Sequence, residues 1–170
     1  MTLASTMLPI DVALGVIVYW LLLGLAGLLM QNSRAITQIV FPAGALGALV
    51  LAAAALSSLS GAVNVAVLPL GLPDLPFHLR LDSLSAFFML LLGAATVGIS
   101  LYSAGYFRSM EGGTLGLLCF QYHVFLAAMA MVFIADDAYL FMVAWETMAL
   151  SSYLLVTTDH KVPEIRRAGF

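Results

Sequence analysis

Polar and charged residues punctuate the chain and leave five long apolar stretches between them, none of which alternates polar with apolar positions. The stretches cover residues 9–30, 35–58, 82–104, 116–135 and 138–157. Each is close to the roughly 20 residues an α-helix needs to cross a hydrocarbon layer about 30 Å thick. Inside such a layer every backbone N–H and C=O must find a partner within the protein, which leaves helices or closed barrel strands. Barrel strands would be about half as long and would alternate. The pattern therefore predicts an all-α, polytopic transmembrane bundle of five spanning helices, a single membrane domain over residues 1–170. No positive charge precedes the first stretch and its apolar core is too long for a cleaved signal peptide, so it reads as a retained helix.

The connections differ in character. Residues 59–81 form the longest one, and Pro69, Pro73 and Pro76 forbid a continuous helix there. Its valine-rich part, 62–68, suits a short strand on the membrane surface, with an apolar linker among the headgroups as the alternative. Only Asp136 and Asp137 separate the last two spans, which predicts a tight antiparallel hairpin of helices. Asp82 and Asp137 precede apolar runs and suit the N-cap position, where a carboxylate accepts from unpaired N–H groups. Gly44, Ala48 and Ala52 recur at four-residue spacing and permit close helix contact. Trp20 falls mid-span and is expected to pack against a neighbouring helix, whereas Arg34, Arg108, Tyr102 and Tyr106 suit a membrane boundary.

Composition narrows the function. Of the 170 residues, 63% are hydrophobic and 9% charged, against about 45–50% and 25% in soluble domains. Nine acidic and six basic side chains are too few to clothe a soluble particle. A soluble enzyme, a nucleic-acid binder and a disordered chain are excluded, and the expected partner is the lipid bilayer. The lone cysteine, Cys119, rules out an internal disulfide and a cysteine-rich metal site, and reads as a small buried hydrophobe.

Two titratable residues of note stand within the core of the spans. Glu146 lies next to the centre of the fifth. A charge at that depth costs about 2.5–3.5 kcal/mol on insertion scales, and leucine would serve a plain helix better, so Glu146 is the candidate proton-transfer carboxyl. No lysine or arginine lies within any span, so a cation to pair with it must come from sequence after Phe170 or from another subunit. His123 lies on the fourth span, about 6 Å from the level of Glu146 if the hairpin turns at the aspartate pair. It is the second proton-transfer candidate, as a relay to Glu146, with a hydrogen-bonded structural histidine as the rival reading.

The run from Ala135 through Trp145-Glu146 to Val156 resembles the fifth helix of the antiporter-like membrane subunits of respiratory complex I, Mrp sodium/proton antiporters and membrane-bound group 4 hydrogenases, the hydrogenase-4 component B and formate hydrogenlyase group above all. Leu79-Arg80-Leu81-Asp82-Ser83 resembles the start of their third helix, and Thr158-Asp159-His160 with residues 163–170 their link to a sixth. The resemblance implies an amino-terminal portion of a larger, non-catalytic, proton-translocating subunit, with Glu146 at the place of the family's fifth-helix glutamate. There that residue pairs with a lysine of the seventh helix. It implies no cofactor on this chain, with other membrane subunits and a peripheral hydrogenase or dehydrogenase arm as partners, in the cell (inner) membrane. A stand-alone sodium/proton antiporter subunit and a scaffold whose glutamate stays protonated are the alternatives. Residues 164–170 look like the lead-in to a further span, so the sequence is expected to be a fragment or a truncated frame.

Orientation is set by the cations. The loops after the first, third and fifth spans share one side and hold Arg34, Arg108, Lys161, Arg166 and Arg167, against Arg80 alone on the other. The positive-inside rule puts the five in the cytoplasm and the amino terminus outside. In whole cells a cysteine introduced as D74C should react with a membrane-impermeant thiol reagent, and one introduced as S109C should react only after permeabilisation. The reverse pattern would invert the topology.

Overall fold

The structure, a computed structural model, describes residues 8–30, 32–109 and 112–158. The expected lead-in at 164–170 and the cations Lys161, Arg166 and Arg167 lie outside the described residues. Five helices match the five apolar stretches within a few residues: α1 (Pro9–Leu29), α2 (Ser33–Ser58), α3 (Ser83–Tyr106), α4 (Gly112–Ile134) and α5 (Ala138–Val156). Pro9 opens α1 where its missing N–H costs nothing, and the Asp11 carboxylate accepts from the Leu8 N–H at 3.2 Å. All five are long and apolar enough to cross a membrane.

The bundle buries a set of polar side chains within an apolar core and is greasy outside. Thr37, Thr96, Ser100, Ser103, Gln121, His123 and Ser151 are buried, while Val18, Leu22, Leu29, Leu46 and Leu101 stand exposed. In water that surface would be an aggregation hazard, and against acyl chains it is matched to its solvent. The chain is a multi-pass membrane protein. Contact between its helices relies on missing side chains. A Cβ on Gly93 of α3 would lie 2.8 Å from the Ala48 carbonyl oxygen of α2 and 2.9 Å from the Ala52 Cβ, so the Gly44, Ala48 and Ala52 stripe is where α2 meets its neighbours. Trp20 is fully buried and donates its indole N–H to the Gly44 carbonyl at 3.2 Å, so it does pack against a neighbouring helix.

The long connection is an antiparallel hairpin, β1 (Asn64–Leu72) and β2 (Leu75–Leu81). One strand is longer than the valine run implied, and β2 is a second strand that the prolines concealed. A two-stranded ribbon has only edge positions, where proline is tolerated. Pro69 falls where the register shifts, between Leu68 and Gly71, and Pro73 lies in the turn. Gly71 adopts φ +113°, a conformation that favours glycine, and a Cβ there would press on the Leu75 carbonyl.

The hairpin is tied to the start of α5. Leu79 pairs with Ala135, and the Asp136 N–H donates to the His78 carbonyl at 2.9 Å. The Asp137 carboxylate accepts from the Leu140 N–H at 2.7 Å and the His78 N–H at 2.8 Å, so it caps α5 and clamps β2 at once. Asp82 caps α3 by accepting from the Ser85 N–H at 2.9 Å. That N–H bond holds the Asp82 carboxyl below the ordinary carboxylate value. At Asp137 burial pushes the pKa up, but the N–H bonds from Leu140 and His78 outweigh it and the net shift is also downward. Depressed carboxyl pKa values contribute stability that is complete above the unfolded value, about 3.9, and is lost as pH falls through the folded values. Thermal unfolding of the purified protein between pH 6 and 2 should show that acid loss, and the D82N/D137N double variant should flatten it. Asp137→Ala should cost about 1–2 kcal/mol at neutral pH.

Candidate functional site: the polar residues of the bundle

The second helix begins irregularly. Residues Ile36–Val40 form a π-helical turn, and Thr37 turns its hydroxyl back to the carbonyls of Ser33 and Arg34 at 2.9 and 3.3 Å. A π turn takes in one extra residue and so re-aims the side chains after it. Here those are Phe41, fully buried, and the Gly44 position one turn on. The Phe41 ring lies 5.9 Å from Phe107, 5.7 Å from Tyr122 and 6.2 Å from His123.

His123 is completely buried on α4 and faces α1 and α2. Two glycines make room for it. A Cβ on Gly24 of α1 would lie 3.1 Å from the His123 Cβ, and one on Gly44 would lie 2.8 Å from its Nε2. Nδ1 stands 2.8 Å from the Cys119 carbonyl oxygen. A carbonyl only accepts, so Nδ1 carries hydrogen and Nε2 of the neutral ring is an acceptor. That Nε2 has no hydrogen-bond partner among the described residues. Beside it, the Ser100 hydroxyl of α3 and the Tyr122 hydroxyl of α4 bond at 2.8 Å. Thr96, one turn earlier on α3, is buried with its hydroxyl oxygen unpartnered. These neighbours escaped sequence reading, although Thr96, Ser100 and Ser103 at four- and three-residue spacing mark one face of α3.

Glu146 has a different setting. Leu140, Ala144 and Ser151 form the buried side of α5. Successive helical residues turn by about 100°, which sets Glu146 nearly opposite Ala144. Glu146 is exposed, on a face shared with the exposed Met142, Trp145 and Tyr153. Among the described residues it makes no hydrogen bond and no ion pair. It stands one residue from the middle of α5. The structure does not bring Glu146 and His123 together. Between their helices, Val124, Ala127, Ala128 and Met131 of α4 face Leu140, Val143, Ala144 and Thr147 of α5 across a mainly apolar cleft. Cys119 is buried, as its type suggested, and Tyr102 and Tyr106 are exposed and stacked at the end of α3.

Known proteins share parts of this sequence. The chain is 42% identical over 78 residues to hydrogenase-4 component B of Escherichia coli, a stretch covering 46% of this chain and 12% of that protein. It is 34% identical over 107 residues to NADH-quinone oxidoreductase subunit L of Mycobacterium tuberculosis, covering 60% and 16%. An uncharacterized protein of Mycobacterium tuberculosis is 38% identical over 98 residues, covering 58% and 15%. The matched stretch thus spans about one sixth or less of the length of these relatives. No family model matches the chain.

The packing around the histidine is testable. Gly44→Ala drives a methyl group against Nε2 and should destabilise the protein by about 1–3 kcal/mol, the usual cost of overfilling a core. Gly98→Ala on α3, where a Cβ would meet nothing within 4 Å, should be neutral or stabilising by up to about 1 kcal/mol. Thermal unfolding of the two variants in detergent checks the contrast.

Proposed function

We propose that the chain is the amino-terminal part of an antiporter-like membrane subunit of a hydrogenase-4 or complex I-like oxidoreductase, in which Glu146 carries protons at mid-membrane. The observation that carries the reading is the setting of Glu146: a carboxyl near the centre of a spanning helix, on the face the bundle leaves open, without a partner among the described residues. Similarity to a hydrogenase component and a quinone oxidoreductase subunit supports the class of complex.

The chemistry comes from the depth. The ionised form cannot be left bare in hydrocarbon, so it exists only with a cation or donor at hand. When such a group approaches, the carboxyl releases its proton, and when it withdraws, the proton returns. In α5 only 17% of the most apolar stretch is buried, against 33–50% in the other four helices. The exposed face of α5 is where the rest of the subunit, or a neighbouring membrane subunit, brings the cation. Redox chemistry belongs to partner proteins of the assembly.

The test is Glu146→Gln in the complete subunit within its native complex, reconstituted into liposomes. Proton translocation should fall to background while assembly and electron transfer through the peripheral arm persist. Normal translocation by the variant would leave a scaffold, with Glu146 a neutral packing residue. A complex that moves sodium ions and protons with no electron donor present would point to the stand-alone antiporter.

A further inference from the structure

The interior row around His123 takes no part in the chemistry proposed for Glu146 and stands apart from it. Its two end atoms are the unusual ones. His123 Nε2 and Thr96 Oγ1 are buried and lack any hydrogen bond among the described residues, in side chains that are 0% and 1% exposed. A group left unpaired in this way bears its full desolvation cost, and buried polar groups are satisfied by protein or by ordered water in the great majority of cases.

The two orphans flank a bond that is already made. Ser100 Oγ, bonded to the Tyr122 hydroxyl at 2.8 Å, lies four residues of α3 from Thr96, about 6 Å along the axis and on the same face. On the other flank, Ser100 Oγ and His123 Nε2 overlook the same spot, 3.6 and 2.8 Å from where a Gly44 Cβ would stand. The histidine tautomer fixes what must lie between them. Nδ1 spends its hydrogen on the Cys119 carbonyl, so Nε2 needs a donor, and water both donates to it and accepts from Ser100. Beside Thr96 and Tyr122 runs a cleft of about 300 Å³ between α3 and α4, whose other walls are apolar. A water molecule needs only about 10–15 Å³ and two to four polar partners.

We propose that Thr96, Ser100, Tyr122 and His123 form a hydrated proton-holding site inside the bundle, with ordered water bound to His123 Nε2 and to Thr96 Oγ1. A proton reaching that water adds to the Nε2 lone pair, giving the imidazolium, and leaves by the same atom, because Nδ1–H stays on the Cys119 carbonyl. The site is a store reached from one side. Gly24 from α1, Phe41 and Gly44 from α2, Ser100 from α3, and Cys119 and Tyr122 from α4 face the ring, and none of them brings a charge. Ser103, buried one turn beyond Ser100, extends the row toward the α3–α4 connection, where Phe41 and Phe107 stack across it.

The experiment uses the complete protein in lipid nanodiscs with ¹⁵N-labelled histidine imidazoles, read by solid-state NMR. The probe is bulk water. The His123 signals are those that vanish in His123→Phe and shift in Ser100→Ala, so the assignment survives if the first variant fails to fold. The expected result is an Nδ1–H tautomer at neutral pH with magnetisation transfer from water protons to Nε2. Ser100→Ala should weaken the transfer severalfold, and acid should protonate Nε2 with the fold intact. A ring with bare Nδ1, an Nε2 silent toward water, or charging only upon unfolding would overturn the proposal. None of these outcomes depends on whether Glu146 moves protons, so the two readings fail separately.

Discussion

The meeting of α1, α2 and α4 at Gly44 is the contact on which the bundle depends. Its carbonyl takes the indole N–H of Trp20, and its bare Cα leaves the space into which the imidazole of His123 presses. Hydrocarbon offers no hydrophobic drive between helices, so association rests on close packing and on satisfied polar groups. One residue without a side chain supplies both at a single point. The π turn just before it sets the azimuth, because an extra residue in the turn rotates Phe41 and Gly44 relative to Ser33–Ala35.

What the sequence makes legible depends on the range over which each residue acts. The five spans are legible, because runs of some twenty apolar residues state their own length requirement. So are the caps, since Asp82 and Asp137 act within three residues of themselves. The second strand of the hairpin is not, because Pro76 and Pro73 break helices and central strands alike, and only an isolated ribbon spares them. For Glu146 and His123, position along the helix is legible and direction is not. Counting along a helix gives height in the membrane, while the neighbour each side chain meets depends on which helices pair. Height alone makes His123 a candidate relay to Glu146, yet its ring looks toward α1 and α2. Of its polar companions, Thr96 and Ser100 come from α3, and Tyr122 is the residue just before it.

The inward histidine and the outward glutamate answer one constraint in two ways. A buried imidazole is tolerated inside a bundle because its neutral form needs only one acceptor and one donor, and the Cys119 carbonyl supplies the first. A carboxylate would need more than the described residues offer at α5, and the function proposed for Glu146 puts its partner outside them.

Glu146 is held at its angle by the buried side of α5, Leu140, Ala144 and Ser151, and by ties at the start of that helix. A lone helix in lipid is free to turn about its axis, since one apolar face is as good as another. In α5, packing of the buried side limits that freedom, and the Asp137 carboxylate limits it further by binding the Leu140 N–H of its own helix and the His78 N–H of β2 together. The Asp136 N–H on the His78 carbonyl and the Leu79 pairing with Ala135 add two more ties within the same few residues. Glu146 comes nine residues after Asp137, two and a half turns at about 3.6 residues each, so a start pinned against the hairpin points the glutamate to the opposite side. The hairpin is therefore more than a surface ornament of the bundle: through hydrogen bonds at one end of α5 it joins the packing of Leu140, Ala144 and Ser151 in setting which way Glu146 faces.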